Sequence, residues 1–229
     1  MEIIILSPYN SGSNLMEKII CSTGNKILND KYSIFKHCIH KNVLKQKIDK
    51  YPKLNIIIIY RDIFQWINSC KKYKYHISQV KDINREIRFG CECVKPHTIN
   101  KLKNRFNNIL ELHNTYYNNY KYLIENCSNN FLVVNYDDII KPIDNILYIY
   151  SLLKELRLPV KENIEKILCR PSKIHGKSVK SYIEAYIKTK KVKDHFKKSD
   201  IKLIEDNSNA YDIIEDKLYK VKIQQEYII

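Results

Sequence analysis

Arg61 and Ser69 stand eight positions apart, a guanidinium followed nearly two helical turns later by a hydroxyl. If a helix begins near Ile63, a phosphate lying beside it can meet both groups at once, a two-point clamp. A second anion-binding pattern comes earlier, in Ser7-Pro8-Tyr9-Asn10-Ser11-Gly12-Ser13-Asn14-Leu15. At the opening of a helix, backbone N–H groups and the positive end of the helix dipole can hold a phosphate. Gly12 would let the backbone approach the anion, and Ser11 and Ser13 would add hydroxyl donors. The same residues also have plainer readings. A Ser/Asn-rich turn caps a helix without any ligand, and Arg61 can pair with Asp62 while Ser69 bonds back to its own turn.

The loop is not a Walker A loop, because it lacks the Gly-Lys-Ser/Thr ending. The later Gly176-Lys177-Ser178 has Pro171 where the leading glycine would stand and no strand before it, which argues against an ordinary ATPase or GTPase. The seven cysteines are odd in number and form no CxxC, so reduced thiols are expected rather than a disulfide framework or a zinc ribbon. Cys91, Cys93 and His97 cluster, but no fourth ligand is evident and C-x-C spacing is atypical of structural zinc, so no metal is expected.

Positioning these groups requires strands that end where the loops begin. Glu2 to Leu6 is a β-branched run stopped by Ser7-Pro8, expected as the first, central strand of a parallel sheet, with a helix from about Gly12 or Ser13. Tyr32 to His37 is a weaker strand candidate, and Lys41 to Lys50 a short helix ended before Pro52. Leu54 to Tyr60 is the clearest strand. A helix follows Arg61-Asp62 with Phe64, Ile67 and Cys70 on one face.

Residues 73 to 97 have mixed periodicity and read as loops that could cover a substrate. From Thr98 to Asn126 the spacing of Ile99, Leu102, Phe106, Leu110, Tyr117, Tyr120 and Leu123 predicts one long amphipathic helix. Phe131 to Val134 is another buried strand, and Pro142 opens a helix to about Leu156. Beyond Pro159 come a short helix to about Leu168, a basic loop over Arg170 to Lys180, and a last helix over Asp200 to Lys220 capped by Ser199. Repeated βα order predicts an α/β fold of three layers, a mostly parallel central sheet flanked by helices, in one domain over residues 1–229.

Composition agrees with a folded α/β chain: 44% apolar, 28% charged, with 4 Gly and 6 Pro, too few for a turn-rich or disordered architecture. Lys and Arg outnumber Asp and Glu by 40 to 25, a formal charge of +15, which favours anionic partners. The lysines are scattered among Ile, Asn and Tyr, as a coding bias also produces, so the charge names a class of partner only. The apolar start is too short for a signal segment and no run approaches a membrane span, so a soluble cytoplasmic or intracellular protein is expected.

On these residues the chain resembles the sulfotransferases that use 3′-phosphoadenosine-5′-phosphosulfate (PAPS). Pro8 to Leu15 looks like their 5′-phosphosulfate loop, and Arg61-Asp62 through Trp66 to Ser69 looks like their 3′-phosphate motif, in the same order along the chain. Val133-Val134-Asn135-Tyr136-Asp137-Asp138 matches a later strand ending in Tyr and acidic residues. The resemblance implies a P-loop-like sulfotransferase fold, nucleotide contacts from Asn10 to Asn14, a 3′-phosphate held by Arg61 and Ser69, and Tyr136 near the adenine. It also implies that Arg170 and Lys177, in the basic loop, close over the 3′-phosphate.

Sulfuryl transfer needs a base for the acceptor proton and positive charge at the bridging oxygen of the leaving phosphate. His37 and His40 fall where the family carries its catalytic histidine; a strand-end position favours His37. Where the family has Lys or Arg in the loop this chain has Asn10, and Lys36 is expected to supply the missing charge. The implied donor is PAPS and the acceptor a hydroxyl or amine on a carbohydrate, protein or small molecule. Three alternatives stand beside this: a homologue that binds the nucleotide without transfer, a phosphotransferase using ATP and Mg²⁺ with Asp137 or Asp138 at a strand end, and a basic nucleic-acid-binding module, for which no motif speaks.

Overall fold

The computed structural model describes residues 1–72, 77–78, 80, 82–90, 104–141, 145–159, 164–169, 173–174, 177–178 and 192–208. In chain order the first elements are β1 (Ile3–Leu6), α1 (Ser13–Ser22), α2 (Lys41–Ile48), β2 (Asn55–Tyr60) and α3 (Ile63–Lys72). There follow β3 (Ile87–Phe89), β4 (Asn104–Phe106), α4 (Ile109–Asn126), β5 (Asn130–Asn135), α5 (Tyr136–Ile140) and α6 (Asn145–Glu155). The described chain ends with α7 (Ile164–Cys169), the short strands β6 (Lys173–Ile174) and β7 (Lys177–Ser178), a 3-10 turn at Val192–His195 and α8 (Lys198–Asn207).

The β-branched runs form a three-stranded parallel sheet in the order β1-β2-β5. β2, not β1, is its middle strand: Ile57 stands beside Ile5 on one side and Leu132 on the other. That position explains why Ile56 to Ile59 read as an unbroken apolar run, since both faces and both edges of β2 are covered. Alternate residues serve opposite faces. Ile4, Leu6, Ile56, Ile58, Phe131 and Val133 pack with residues of α2, α3 and α4, such as Leu44, Trp66 and Tyr120. Ile3, Ile5, Ile57, Ile59, Leu132 and Val134 pack with α1 and α6, through Met16, Ile19, Ile149 and Leu152. The result is a sheet sandwiched between helices, and each fully buried Ile or Leu in it contributes about 1.5–3 kcal/mol.

Tyr32 to His37 forms no strand. The outer edge of β1 is covered instead by residues just before Tyr32: Leu28 N–H donates to the Ile3 carbonyl at 2.8 Å, and Ile27 pairs with Ile3 in an isolated parallel bridge. The Asn29 side chain accepts from Ile5 N–H at 2.9 Å and donates to Ile5 C=O at 2.8 Å, and Lys36 C=O accepts from Ser7 N–H at 2.8 Å. Backbone groups at a strand edge need partners, and a short backbone bridge and one amide side chain supply them here.

The helix expected from Thr98 begins instead at Ile109. Phe106, which fits its periodicity, lies in β4 opposite Ile87 in an antiparallel pair, and Asn108 caps α4 by accepting from Glu111 N–H at 2.9 Å. β5 runs straight into the unexpected α5. The last helix starts at Lys198 with Lys197 as its cap residue and no side-chain cap bond, so Ser199 is inside it; residues 209–229 lie outside the described residues. Among the described residues no helix is long and apolar enough to cross a membrane.

Candidate functional site

β1 and β2 are parallel neighbours, so the loops leaving their C-terminal ends emerge side by side, where open α/β sheets bind ligands. From the second loop Arg61 reaches the first. Its Nη1 donates to the Asn10 carbonyl at 2.9 Å and to Ser69 Oγ at 2.9 Å, while Nη2 donates to Gln65 Oε1 at 3.3 Å. Arg61 and Ser69, paired from spacing alone, are thus in direct contact. Trp66, fully buried in α3, donates from Nε1 to the Tyr9 carbonyl at 2.5 Å. Two successive carbonyls of the first loop are therefore held by the second βα unit.

With those carbonyls turned away, the loop offers N–H groups. Ser11, Gly12, Ser13 and Asn14 make no backbone N–H hydrogen bond among the described residues, and α1 has neither a side-chain cap nor an acidic residue in its first turn. An uncapped helix start leaves its first N–H donors and its partial positive charge unspent. Ser11 is 1% exposed, and its hydroxyl has no partner. Arg61 Nε is likewise buried without one. Buried donors normally find acceptors, so these orphans fit an anion that supplies the missing oxygens.

Gly12 has φ 87°, and its missing side chain serves a neighbour: the Tyr136 ring lies against it, so closely that a Cβ there would overlap the ring. Tyr136 is also under the Arg61 guanidinium, whose Cζ is 4.9 Å from the ring centroid. Tyr136, Gly12 and Arg61 therefore form one packed group. Asn10 has φ 61° and turns its amide to Cys70 Sγ at 3.8 Å, a thiol that burial pushes up to about 12. Its side chain is directed to α3 and its carbonyl to Arg61.

Lys36 Nζ donates to Asn14 Oδ1 at 2.8 Å and lies 3.6 Å from Glu17 Oε2. Lys36 thus lies at the opening of α1, beside Glu17, and it arrives from an irregular segment, not a strand. His37 is buried; its Nδ1 is 2.8 Å from the Ser7 carbonyl, which can only accept, so Nδ1 carries a proton and in the neutral ring the lone pair is on Nε2. Tyr9 stacks on its ring at 4.0 Å, and Tyr116 donates to its backbone carbonyl at 3.1 Å. His40 is exposed and opens α2, with its N–H on Cys38 Sγ at 3.4 Å, so its contacts tie it to that helix start.

Asp137 sits between the strand ends. Its Oδ2 accepts from the Asp62 N–H at 3.1 Å, and its own N–H donates to Asn135 Oδ1 at 2.9 Å. Burial raises its carboxyl above the ordinary range, while the Arg61 charge and the Asp62 N–H pull it back. Asp62 in turn accepts from Gln65 N–H at 3.0 Å and caps α3. Gln65 and Glu17 were not assigned from sequence, and Asp137 only as a strand-end acid in the phosphotransferase alternative. The Asp62-x-x-Gln65 spacing is a visible capping pattern, and Gln65 stands one turn beyond Arg61; Asp137's partner is 75 residues away and left no local signal.

Arg170 and the trio Cys91, Cys93 and His97 lie outside the described residues. Lys177 is in β7, opposite Ile174. Among the described residues no group of three or more His, Cys, Asp or Glu side chains is arranged to hold a metal ion. Compared with known proteins, the sequence matches no family model and no curated protein.

Proposed function

We propose that this protein transfers a sulfuryl group from PAPS to a hydroxyl or amine acceptor, on a P-loop-like sulfotransferase architecture. The observation that carries the reading is the single Arg61 nitrogen that donates to both the Asn10 carbonyl and Ser69. It joins the two βα turns that, on this reading, grip the two phosphate ends of one adenosine nucleotide. An anion drawing on Arg61, Ser69 and the open N–H groups of Ser11 to Asn14 meets donors only, as a phosphate requires.

In this reading His37 Nε2 accepts the proton of the acceptor as its oxygen or nitrogen attacks sulfur, and the bond from sulfur to the bridging phosphate oxygen breaks in line. Lys36, already at the opening of α1, moves positive charge to that oxygen in place of the loop cation that Asn10 does not supply. The Nδ1–H bond to the Ser7 carbonyl fixes the tautomer that leaves Nε2 basic.

Calorimetry with 3′-phosphoadenosine-5′-phosphate (PAP), and with ATP plus Mg²⁺, tests the nucleotide. PAP is expected to bind more tightly, and Arg61→Ala to weaken it by about 1.5–3 kcal/mol, the range of a hydrogen bond to a charged group. Tighter binding of ATP with Mg²⁺ would turn the assignment to a phosphotransferase. Transfer of labelled sulfate from PAPS to one of a panel of glycans, phenols and tyrosyl peptides tests the reaction; PAP binding without any transfer would leave a binding protein.

A further inference from the structure

Arg61 does its work from the end of β2, and the peptide that follows it is held from β5. Asp137 Oδ2 accepts the Asp62 N–H at 3.1 Å, and the carboxylate has no ion pair with Arg61 among the described residues, although the two charges interact. The other oxygen, Oδ1, is buried without a hydrogen-bond partner, as is Arg61 Nε. A carboxylate needs up to four donors and here has one among the described residues, so its own satisfaction does not explain its position. What it does accomplish is geometric: it fixes the 61–62 peptide, from which the guanidinium extends to Asn10 and Ser69 and across the Tyr136 ring.

We propose that Asp137 is a positioning residue for Arg61, holding the 61–62 peptide so that the guanidinium stays aimed at the loop of residues 10 to 14. The proposal rests on the anion-site reading above and adds a residue to it. The acceptor oxygen matters more than the charge, since the N–H it receives belongs to an uncharged peptide. Asp137→Asn keeps an oxygen at that place, whereas Asp137→Ala removes it.

The experiment is a double-mutant cycle on PAP affinity by calorimetry, combining Asp137→Ala and Asp137→Asn with Arg61→Ala. Asp137→Ala is expected to weaken PAP about tenfold, and Asp137→Asn by no more than about threefold, as one hydrogen bond's share predicts. In the Arg61→Ala background Asp137→Ala is expected to change nothing further, because its effect passes through Arg61. Full additivity of the two effects, or an Asp137→Ala protein that binds PAP like the parent, overturns the proposal. If the parent binds no PAP, the nucleotide reading fails, and the proposal is then judged by the Arg61 Nε–H resonance in ¹⁵N-labelled protein. A signal slow to exchange in the parent and in Asp137→Asn but lost in Asp137→Ala supports it; a signal unchanged in Asp137→Ala overturns it. Should Asp137→Ala not fold, Asp137→Leu, which fills the space without an acceptor, takes its place in both arms with the same outcomes.

Discussion

Gly12 and Tyr136 share one space: a Cβ on Gly12 would stand 2.9 Å from Tyr136 Cγ and nearer still to the ring's edge carbons. Gly12 also has φ 87°, a conformation that L side chains rarely adopt. Gly12→Ala therefore meets two separate penalties, steric overlap with the ring and a left-handed backbone, the second worth about 1–2 kcal/mol. Denaturant unfolding is expected to show a loss larger than that. In a Tyr136→Ala background the loss should shrink to the backbone share, and equal losses in both backgrounds would mean that the ring yields freely.

On the proposed reading His37 separates binding from chemistry. His37→Asn keeps an amide N–H near the Ser7 carbonyl but has no group at the place of Nε2. Sulfate transfer is expected to fall about 10²–10⁴-fold, the usual contribution of a positioned base, with PAP affinity little changed. Transfer that persists at the parental rate would remove His37 from the mechanism.

On the proposed reading Lys36, bonded to Asn14 and 3.6 Å from Glu17, supplies charge rather than length to transfer. Lys36→Met is expected to lower kcat about 10-fold or more, the scale of one lost charge interaction in a transition state, and Lys36→Arg to restore part of it. Steady-state rates with PAPS at saturating acceptor measure this. Equal rates for the Met and Arg variants would place the charge elsewhere.

His113 sets a pH dependence of stability. It is buried between Trp66 and Tyr117, and burial pushes its pKa down from 6.5 to about 3, only partly opposed by Asn114. Below pH 6.5 the unfolded chain takes up a proton that the folded chain refuses. Stability present above that value is thus lost as pH falls toward 3, at up to about 1.4 kcal/mol per pH unit. Unfolding curves between pH 7 and 4 should show this slope in the parent and a flatter one in His113→Phe. An unchanged slope in the variant would assign the acid loss to other groups.

The sheet was legible because burial on both faces writes itself as unbroken β-branched runs; Leu54 to Tyr60 and Phe131 to Val134 need no long-range knowledge to be recognised. Which strand stands in the middle depends on pairing across 52 residues between Ile5 and Ile57, and the local pattern of β1 is the same at either position. Tyr32 to His37 looked like a strand because it is half apolar, yet the edge of β1 is taken by Ile27, Leu28 and the Asn29 side chain, and the Lys36 carbonyl meets Ser7 just past the strand end, an arrangement periodicity cannot represent. Thr98 to Asn126 misled for the converse reason: Phe106 matches the helical phase but is claimed by Ile87. The Asn108-x-x-Glu111 cap was in plain view and marks the true start of α4.

In the candidate site, residue types pointed to Arg61, Ser69 and the loop, because a guanidinium at a strand end and a glycine at a helix opening each have few uses. Their partners were hidden. That Arg61 takes the carbonyl of Asn10, or that Tyr136 fills the space a side chain on Gly12 would take, follows from packing between segments far apart in sequence.

The grip of Trp66 and Arg61 on the carbonyls of Tyr9 and Asn10 has a consequence for engineering. The shape of the first loop is imposed largely from outside, by α3 and the turn before it, so the loop's own letters, Gly12 apart, encode little of it. Residues 7 to 15 transplanted onto another scaffold would arrive without their mould, whereas a graft that brings residues 55 to 72 along would bring the fixture that keeps the donors facing outward.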